Sequence, residues 1–167
     1  ETAKIEAYRA VFEESGILLN PVISGNEGPQ SCEAFLAEKG YAAQTVNEVM
    51  EAVDADGNSL GYAFNITTSE GYGGDITFSL GVKEDGTTNG ISILTISETA
   101  GLGMNATKDE FKNQFKDKQV DSFEVTKTGA AADNEIDALS GATITSKAVT
   151  RGVNAGLLAF QYEKGGN

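Results

Sequence analysis

Residues 60–66, Leu60-Gly61-Tyr62-Ala63-Phe64-Asn65-Ile66, and residues 76–82, Ile76-Thr77-Phe78-Ser79-Leu80-Gly81-Val82, decide the fold class. In the first, Leu60, Tyr62, Phe64 and Ile66 stand at every second position. In the second, Ile76, Phe78, Leu80 and Val82 do the same, with Asp75, Thr77 and Ser79 in the alternate places. A period of two sends neighbouring side chains to opposite faces, so each stretch reads as a half-buried strand and not as a helix. Upstream, Asp56-Gly57 is a turn signal, and Val49 and Val53 lie on one side of a short strand before it. Downstream, Asp85-Gly86 and Asn89-Gly90 mark the next turn, and Ile91, Ile93 and Ile96 make a fourth strand. Four strands joined by short turns predict an antiparallel meander.

Helical periodicity flanks this meander. Ile5, Tyr8 and Phe12 predict an amphipathic helix over residues 4–15. Residues 16–30, with Gly16, Pro21, Gly25, Gly28 and Pro29, read as loop, and residues 31–38 as a short helix ending at Gly40. Beyond the meander, Thr107 and Glu110 have capping-box spacing, and Phe111 and Phe115 follow on one face. Residues 122–127 read as a further strand and residues 129–136 as a loop of small and acidic residues. Ile144, Ala148, Val149, Val153, Leu157 and Phe160 recur every 3.6 residues and predict a helix over 144–161. The expected architecture is one α+β domain spanning residues 1–167. It has an antiparallel sheet of about four to five strands and helices at both ends. Residues 1–40 form an N-terminal helical and loop part, and residues 45–162 form the core.

Composition narrows the function. The formal net charge is −13, which opposes binding to nucleic acid or to an anionic membrane surface. The chain has no histidine, which removes Ser-His-Asp and Cys-His catalysis and the commonest general base. Cys32 is the single cysteine, so no internal disulfide forms. No apolar run reaches the ~18 residues of a membrane helix.

Chemistry concentrates before the last helix, in Asp137-Ala138-Leu139-Ser140-Gly141-Ala142-Thr143 and the following Ile144-Thr145-Ser146-Lys147. A small-residue loop entering a helix presents free N–H groups and a positive dipole end, which suit an anion such as phosphate. Gly141 and Ala142 keep the backbone approachable, Thr143, Thr145 and Ser146 supply hydroxyls, and Lys147 supplies a cation. From the residues alone, Ser140 or Thr143 is at least as readily a plain helix cap.

The run from Asp137 to Thr143 resembles the flavinylation motif of the FMN-binding domain family. That motif is Asp, two variable residues, Ser or Thr, Gly, Ala, then Thr or Ser. Asp137, Ser140, Gly141, Ala142 and Thr143 fill its fixed positions. Ser97-Glu98-Thr99-Ala100-Gly101-Leu102-Gly103 is similar to a Glu-Thr-Pro-Gly-Leu-Gly loop in the G subunit of Rnf electron transport complexes. The C subunit of sodium-pumping NADH:quinone reductases has a similar loop. Ser97 replaces a usual His, and Ala100 replaces the Pro. Gly71-Tyr72-Gly73-Gly74 resembles a Gly-Tyr-x-Gly segment that opens a strand in the same family.

The resemblance implies an electron-carrying flavoprotein domain with FMN joined by a phosphoester to Thr143 and no resident metal. It implies no catalytic residue of its own: such a subunit serves a redox-driven, ion-translocating oxidoreductase and is not a stand-alone catalyst. A flavin transferase would install the FMN, with Asp137 recognised during that step. Backbone N–H groups between Glu98 and Gly103 would face the ring, and Thr99, Gly101, Leu102, Gly71 and Tyr72 join the expected site. The expected partners are the membrane subunits of the complex. The expected location is the extracytoplasmic face of the membrane, held there by an N-terminal helix absent from this chain. Two other readings stay open: an extracellular FMN-binding reductase module, and a non-redox binding module in which the motif only caps a helix. Colour separates the last from the others.

Overall fold

Residues 18–21, 36–54, 56–127 and 129–163 are described by the computed structural model. The two alternating stretches become the centre of a six-stranded antiparallel sheet. Its strands are β1 (Leu18–Pro21), β2 (Gln44–Val53), β3 (Ser59–Thr68), β4 (Ile76–Lys83), β5 (Thr88–Thr95) and β6 (Lys116–Lys118), in that spatial order. Register places Tyr62 opposite Val82, Phe64 opposite Leu80 and Ile66 opposite Phe78, so one face is apolar across β3 and β4. Phe64, Ile66, Phe78 and Leu80 are fully buried there. Each contributes about 1.5–3 kcal/mol by leaving water. The opposite face carries the alternate residues: Asn47 Nδ2 donates to Asn65 Oδ1 and to Thr67 Oγ1, both at 2.8 Å, and the Thr67 and Thr77 hydroxyls pair at 2.8 Å.

After β5 the chain runs through a 3-10 helix (Gly103–Thr107), a single helical turn α1 (Asp109–Lys112) and a second 3-10 turn (Asn113–Phe115) into β6. A separate two-stranded parallel pair follows, β7 (Glu124–Thr126) and β8 (Glu135–Asp137). The chain then enters the long helix α2 (Thr143–Glu163). This helix lies on the apolar face of the sheet because Gly152 and Gly156 present no side chain to it. A Cβ on Gly152 would stand 2.8 Å from the Phe78 ring, and one on Gly156 2.8 Å from Ile66 Cδ1. Phe111, Phe115 and Phe123 close the core beside it in edge-to-face pairs, at 5.5 and 5.2 Å between centroids.

The α+β class and the meander stand as expected, with several local corrections. β1 occupies part of the stretch read as loop. Pro21 is tolerated because β1 is an edge strand paired only with β2. Asn89-Gly90 is not a turn. The hairpin is already closed by Gly86, whose N–H donates to the Lys83 carbonyl at 2.8 Å, and Asn89 lies buried in β5 beside a bulge. The Thr107–Glu110 box does not form. Lys108 is the N-cap, and the Thr107 hydroxyl donates back to the Met104 carbonyl at 2.8 Å, because the chain arrives already coiled as a 3-10 helix. β8 takes up the end of the 129–136 loop. The predicted helix over 4–15 lies outside the described residues. Of the 31–38 segment, the described part is helical at 36–38 and turns at Gly40, where φ is +91°. Among the described residues, no helix is long and apolar enough to cross a membrane.

The β4–β5 turn yields a pH prediction. The Asp85 carboxylate accepts the Thr87 N–H at 2.9 Å, and this bond holds its carboxyl below the ordinary carboxylate range. A depressed folded-state pKa contributes stability above the unfolded value and loses it as pH falls through the folded one. Asp85→Asn should therefore melt slightly below wild type at neutral pH, with the gap closing in acid. Thermal melts across that range check this.

Candidate functional site

The Asp137–Thr143 motif folds as a tight turn between β8 and α2. Leu139 and Ala142 bridge across it, and the Ala142 N–H donates to the Leu139 carbonyl at 3.0 Å. Gly141, third of those four residues, has φ +68°, a backbone region that L side chains adopt reluctantly. Ser146 holds this turn against the helix. Its hydroxyl donates to the Ala142 carbonyl at 2.9 Å and accepts the Leu139 N–H at 2.8 Å. The N–H groups of Thr143, Ile144 and Thr145 open α2 and, like the first donors of any helix, have no intrahelical acceptor.

A second loop, residues 97–103, leaves the end of β5 and passes under this helix head. The Thr99 carbonyl accepts the N–H groups of Leu102 at 3.0 Å and Met104 at 3.1 Å, so Leu102's donor is committed inside the loop. Gly103 permits the close passage: a Cβ there would stand 2.6 Å from both Glu98 Cβ and Thr145 Oγ1. Glu98 is buried between the segments. It accepts the Tyr72 N–H at 2.9 Å, the Gly73 N–H, and the Thr145 hydroxyl at 2.5 Å. All three stretches singled out in the sequence therefore meet, with one carboxylate joining them.

They enclose a cleft of about 490 Å³. Tyr72 comes from the first loop, Thr99, Leu102 and Gly103 from the second, and Gly141 to Thr145 from the third. The walls are unusual for a surface. The large hydrophobic residues exposed among the described residues are Tyr72 at 72%, Leu102 at 41% and Ile144 at 54%, and all three line this cleft. Isolated apolar side chains in water need no explanation, but three converging on one concavity mark a ligand or partner site.

The three hydroxyls of the helix head differ. Thr145 and Ser146 are buried and hydrogen-bonded as described. Thr143 is half-buried, lines the cleft, and its hydroxyl has no hydrogen-bond partner among the described residues. Of the other expected residues, Lys147 is exposed and lines a different cleft, with Arg151 and Glu124. Ser140, Gly71 and Gly101 stand near the loops but outside the cleft lining. Gly101 is exposed, with φ +77°. Asp137 is exposed. Its carboxylate accepts the Ala130 N–H at 2.5 Å, and its backbone is clasped by Gln114, which accepts the Asp137 N–H at 2.6 Å. Ile144 was missed: helical spacing assigned it to the buried stripe, whereas the stripe begins at Ala148 and Ile144 faces the cleft.

The FMN-binding domain family matches residues 71–158, a span containing all three loops. The chain belongs to that family. Among relatives of this FMN-binding domain, the G subunit of the proton-translocating ferredoxin:NAD(+) oxidoreductase complex of Clostridium ljungdahlii is 52% identical over 85 residues. That match covers 51% of this chain and 45% of the relative. The G subunit of the Na(+)-translocating ferredoxin:NAD(+) oxidoreductase complex of Acetobacterium woodii is 38% identical, over 64% of this chain and 52% of its own length. The G subunit of an ion-translocating oxidoreductase complex of Vibrio atlanticus is 31% identical, over 87% and 70%. The chain thus spans about half the length of the first two relatives. The fold resembles the C subunit of the Na(+)-translocating NADH-quinone reductase of Parabacteroides distasonis, with a TM-score of 0.52 and 30% identity over 65% of this chain and 61% of that one. It also resembles NqrC of Shewanella oneidensis, with a TM-score of 0.55 and 22% identity over 64% and 53%.

Proposed function

We propose that this domain carries FMN covalently, through a phosphoester to the Thr143 hydroxyl, and serves as an electron carrier in an Rnf-type ion-translocating oxidoreductase complex. The observation that carries the attachment is the state of the three hydroxyls at the head of α2. Those of Thr145 and Ser146 are tied into the fold, and of these three only Thr143 offers the cleft an oxygen uncommitted among the described residues.

The residues present fit the cofactor. The cleft volume lies in the ~300–1,000 Å³ range of small-molecule sites. Its apolar walls, Tyr72, Leu102 and Ile144, suit a planar ring system, and the first N–H groups of α2 suit a phosphate. FMN, when bound, supplies the electron transfer, and the protein supplies position and electrostatics. Thr143 is an attachment point and not a nucleophile toward any substrate of the complex. Attachment itself is a phosphoryl transfer by a separate flavin transferase: the bond from Thr143 Oγ1 to the FMN phosphorus of FAD forms, the phosphoanhydride bond breaks, AMP leaves, and the hydroxyl proton passes to solvent or base. Asp137 lies exposed at the start of the same turn, where a transferase can reach it. Membrane subunits of the complex are the proposed electron-exchange partners, and the extracytoplasmic face of the membrane is the proposed location.

The test is production of the chain with and without an active flavin transferase. With it, the protein should be yellow and heavier by one FMN less one water. Without it, the protein should be folded and colourless, because phosphoester formation needs an activated donor, and the buried sheet–helix core does not involve the cleft. Nanomolar binding of free FMN by the chain made alone would contradict the covalent reading.

A further inference from the structure

Glu98 is 9% exposed, yet it carries a side chain that is rarely buried without partners. Its partners come from two directions. Tyr72 and Gly73 donate their backbone N–H groups to Oε1 and Oε2 respectively, and the Thr145 hydroxyl donates to Oε1 from the first turn of α2. Residues 71–75 make no other hydrogen bond among the described residues. The contact admits no side chain at its centre: a Cβ on Gly73 would run into the Ser97 carbonyl oxygen and stand 2.7 Å from Glu98 Oε2. The turn carrying Tyr72 is therefore held to the body of the domain by one carboxylate.

We propose that Glu98 is a positioning residue of the cofactor site: its carboxylate clamps the 71–74 turn to the head of α2 and so fixes Tyr72 as a wall against which the bound flavin ring packs. This rests on the reading of the cleft as the FMN site. The chemistry explains why a carboxylate stands here. Two adjacent N–H groups and one hydroxyl need acceptors only, and an ionised carboxylate is acceptor-only on both oxygens. A glutamine of the same length replaces one acceptor by an amide that meets a facing donor, so it cannot satisfy all three. Bonds from a carboxylate to backbone N–H groups are also stronger than neutral ones, which suits a turn with little other support.

Two arms test this. The first uses the chain made without a transferase and reads amide hydrogen exchange by NMR. The Tyr72 and Gly73 amides should be protected, although Tyr72 is 72% exposed. Glu98→Gln should speed their exchange tenfold or more while the Phe78 and Leu80 amides stay protected, and Thr145→Val, which cuts only the link to α2, should speed it by a smaller factor. Random-coil exchange of Gly73 in wild type, or unchanged exchange in Glu98→Gln, overturns the clamp. The second arm uses the flavinylated chain. Tyr72→Ala should raise flavin fluorescence and alter its visible circular dichroism, and Glu98→Gln should shift both in the same direction. A wild-type signal in Tyr72→Ala, or in Glu98→Gln when Tyr72→Ala differs, overturns the role of Glu98 in placing that wall. Absence of flavin from the wild-type chain after exposure to a transferase overturns the cofactor assignment instead, while the exchange arm still decides the clamp.

Discussion

A Thr143→Ala chain produced beside an active flavin transferase should keep its bare polypeptide mass and stay colourless, while wild type is fully or largely flavinylated. The loss should be complete, because the change removes the acceptor oxygen, and Thr145 and Ser146 stand beside it with hydroxyls already donating to Glu98 and to the Ala142 carbonyl. Exposing either would require opening the first turn of α2. The same substitution should leave the melting temperature near wild type. The Thr143 hydroxyl makes no hydrogen bond among the described residues, so its removal leaves no buried partner unpaired. Colour, intact mass and a thermal melt read all three expectations. A colourless variant that is also unfolded would remove the inference, and Thr143→Ser then separates the cases. It keeps a hydroxyl in the same place and should restore at least part of the flavin.

The second large effect concerns the seam between α2 and the sheet. Gly156→Val should destabilise the domain by about 1–3 kcal/mol, the usual range for forcing extra carbons into a filled core. Helix propensity predicts the opposite sign, a gain of up to about 1 kcal/mol when a helical glycine is replaced. Packing wins here because a Cβ at Gly156 would lie 2.5 Å from Leu80 Cδ2 and 2.8 Å from Ile66 Cδ1, and both side chains are fully buried. For a domain of this size each kcal/mol lowers the melting temperature by about 2–4 °C. Thermal or denaturant unfolding decides it. A variant as stable as wild type would mean the helix does not approach the sheet as closely as described.

The sheet was legible because its central strands put large apolar side chains on one face and small or polar ones on the other, which writes a period of two into residues 60–66 and 76–82; the second face is nonetheless largely covered, with Ala63, Asn65 and Ser79 buried too. The long helix was legible for the same reason at a period of 3.6. The edge strands were not. β1 and β6 have 4 and 3 residues, too short for any period, and their identity depends on partners distant in sequence. Of the parallel pair, β7 lies within the stretch 122–127 read as a strand, whereas β8 is set by docking at the end of a loop of small residues, which no local pattern announces. At the site, the turn glycines and the hydroxyl cluster were visible as a motif. What each hydroxyl does was not, since Thr145 and Ser146 differ from Thr143 only in where α2 points them. Ile144 shows the limit of periodicity. It begins the stripe in sequence, yet sits in the first turn, ahead of the point where the helix meets the sheet. Lys147 shows another: three residues beyond Ile144, it lines a separate cleft.

The central claim is covalent flavin on one named oxygen, and peptide mapping by mass spectrometry of the wild-type chain made with a transferase tests it most directly. The account predicts that the peptide spanning the turn and the head of α2 carries FMN less one water, with fragmentation placing it on Thr143. Flavin located on Thr145, on Ser146 or outside this turn, or an unmodified peptide from a sample exposed to a competent transferase, would contradict it.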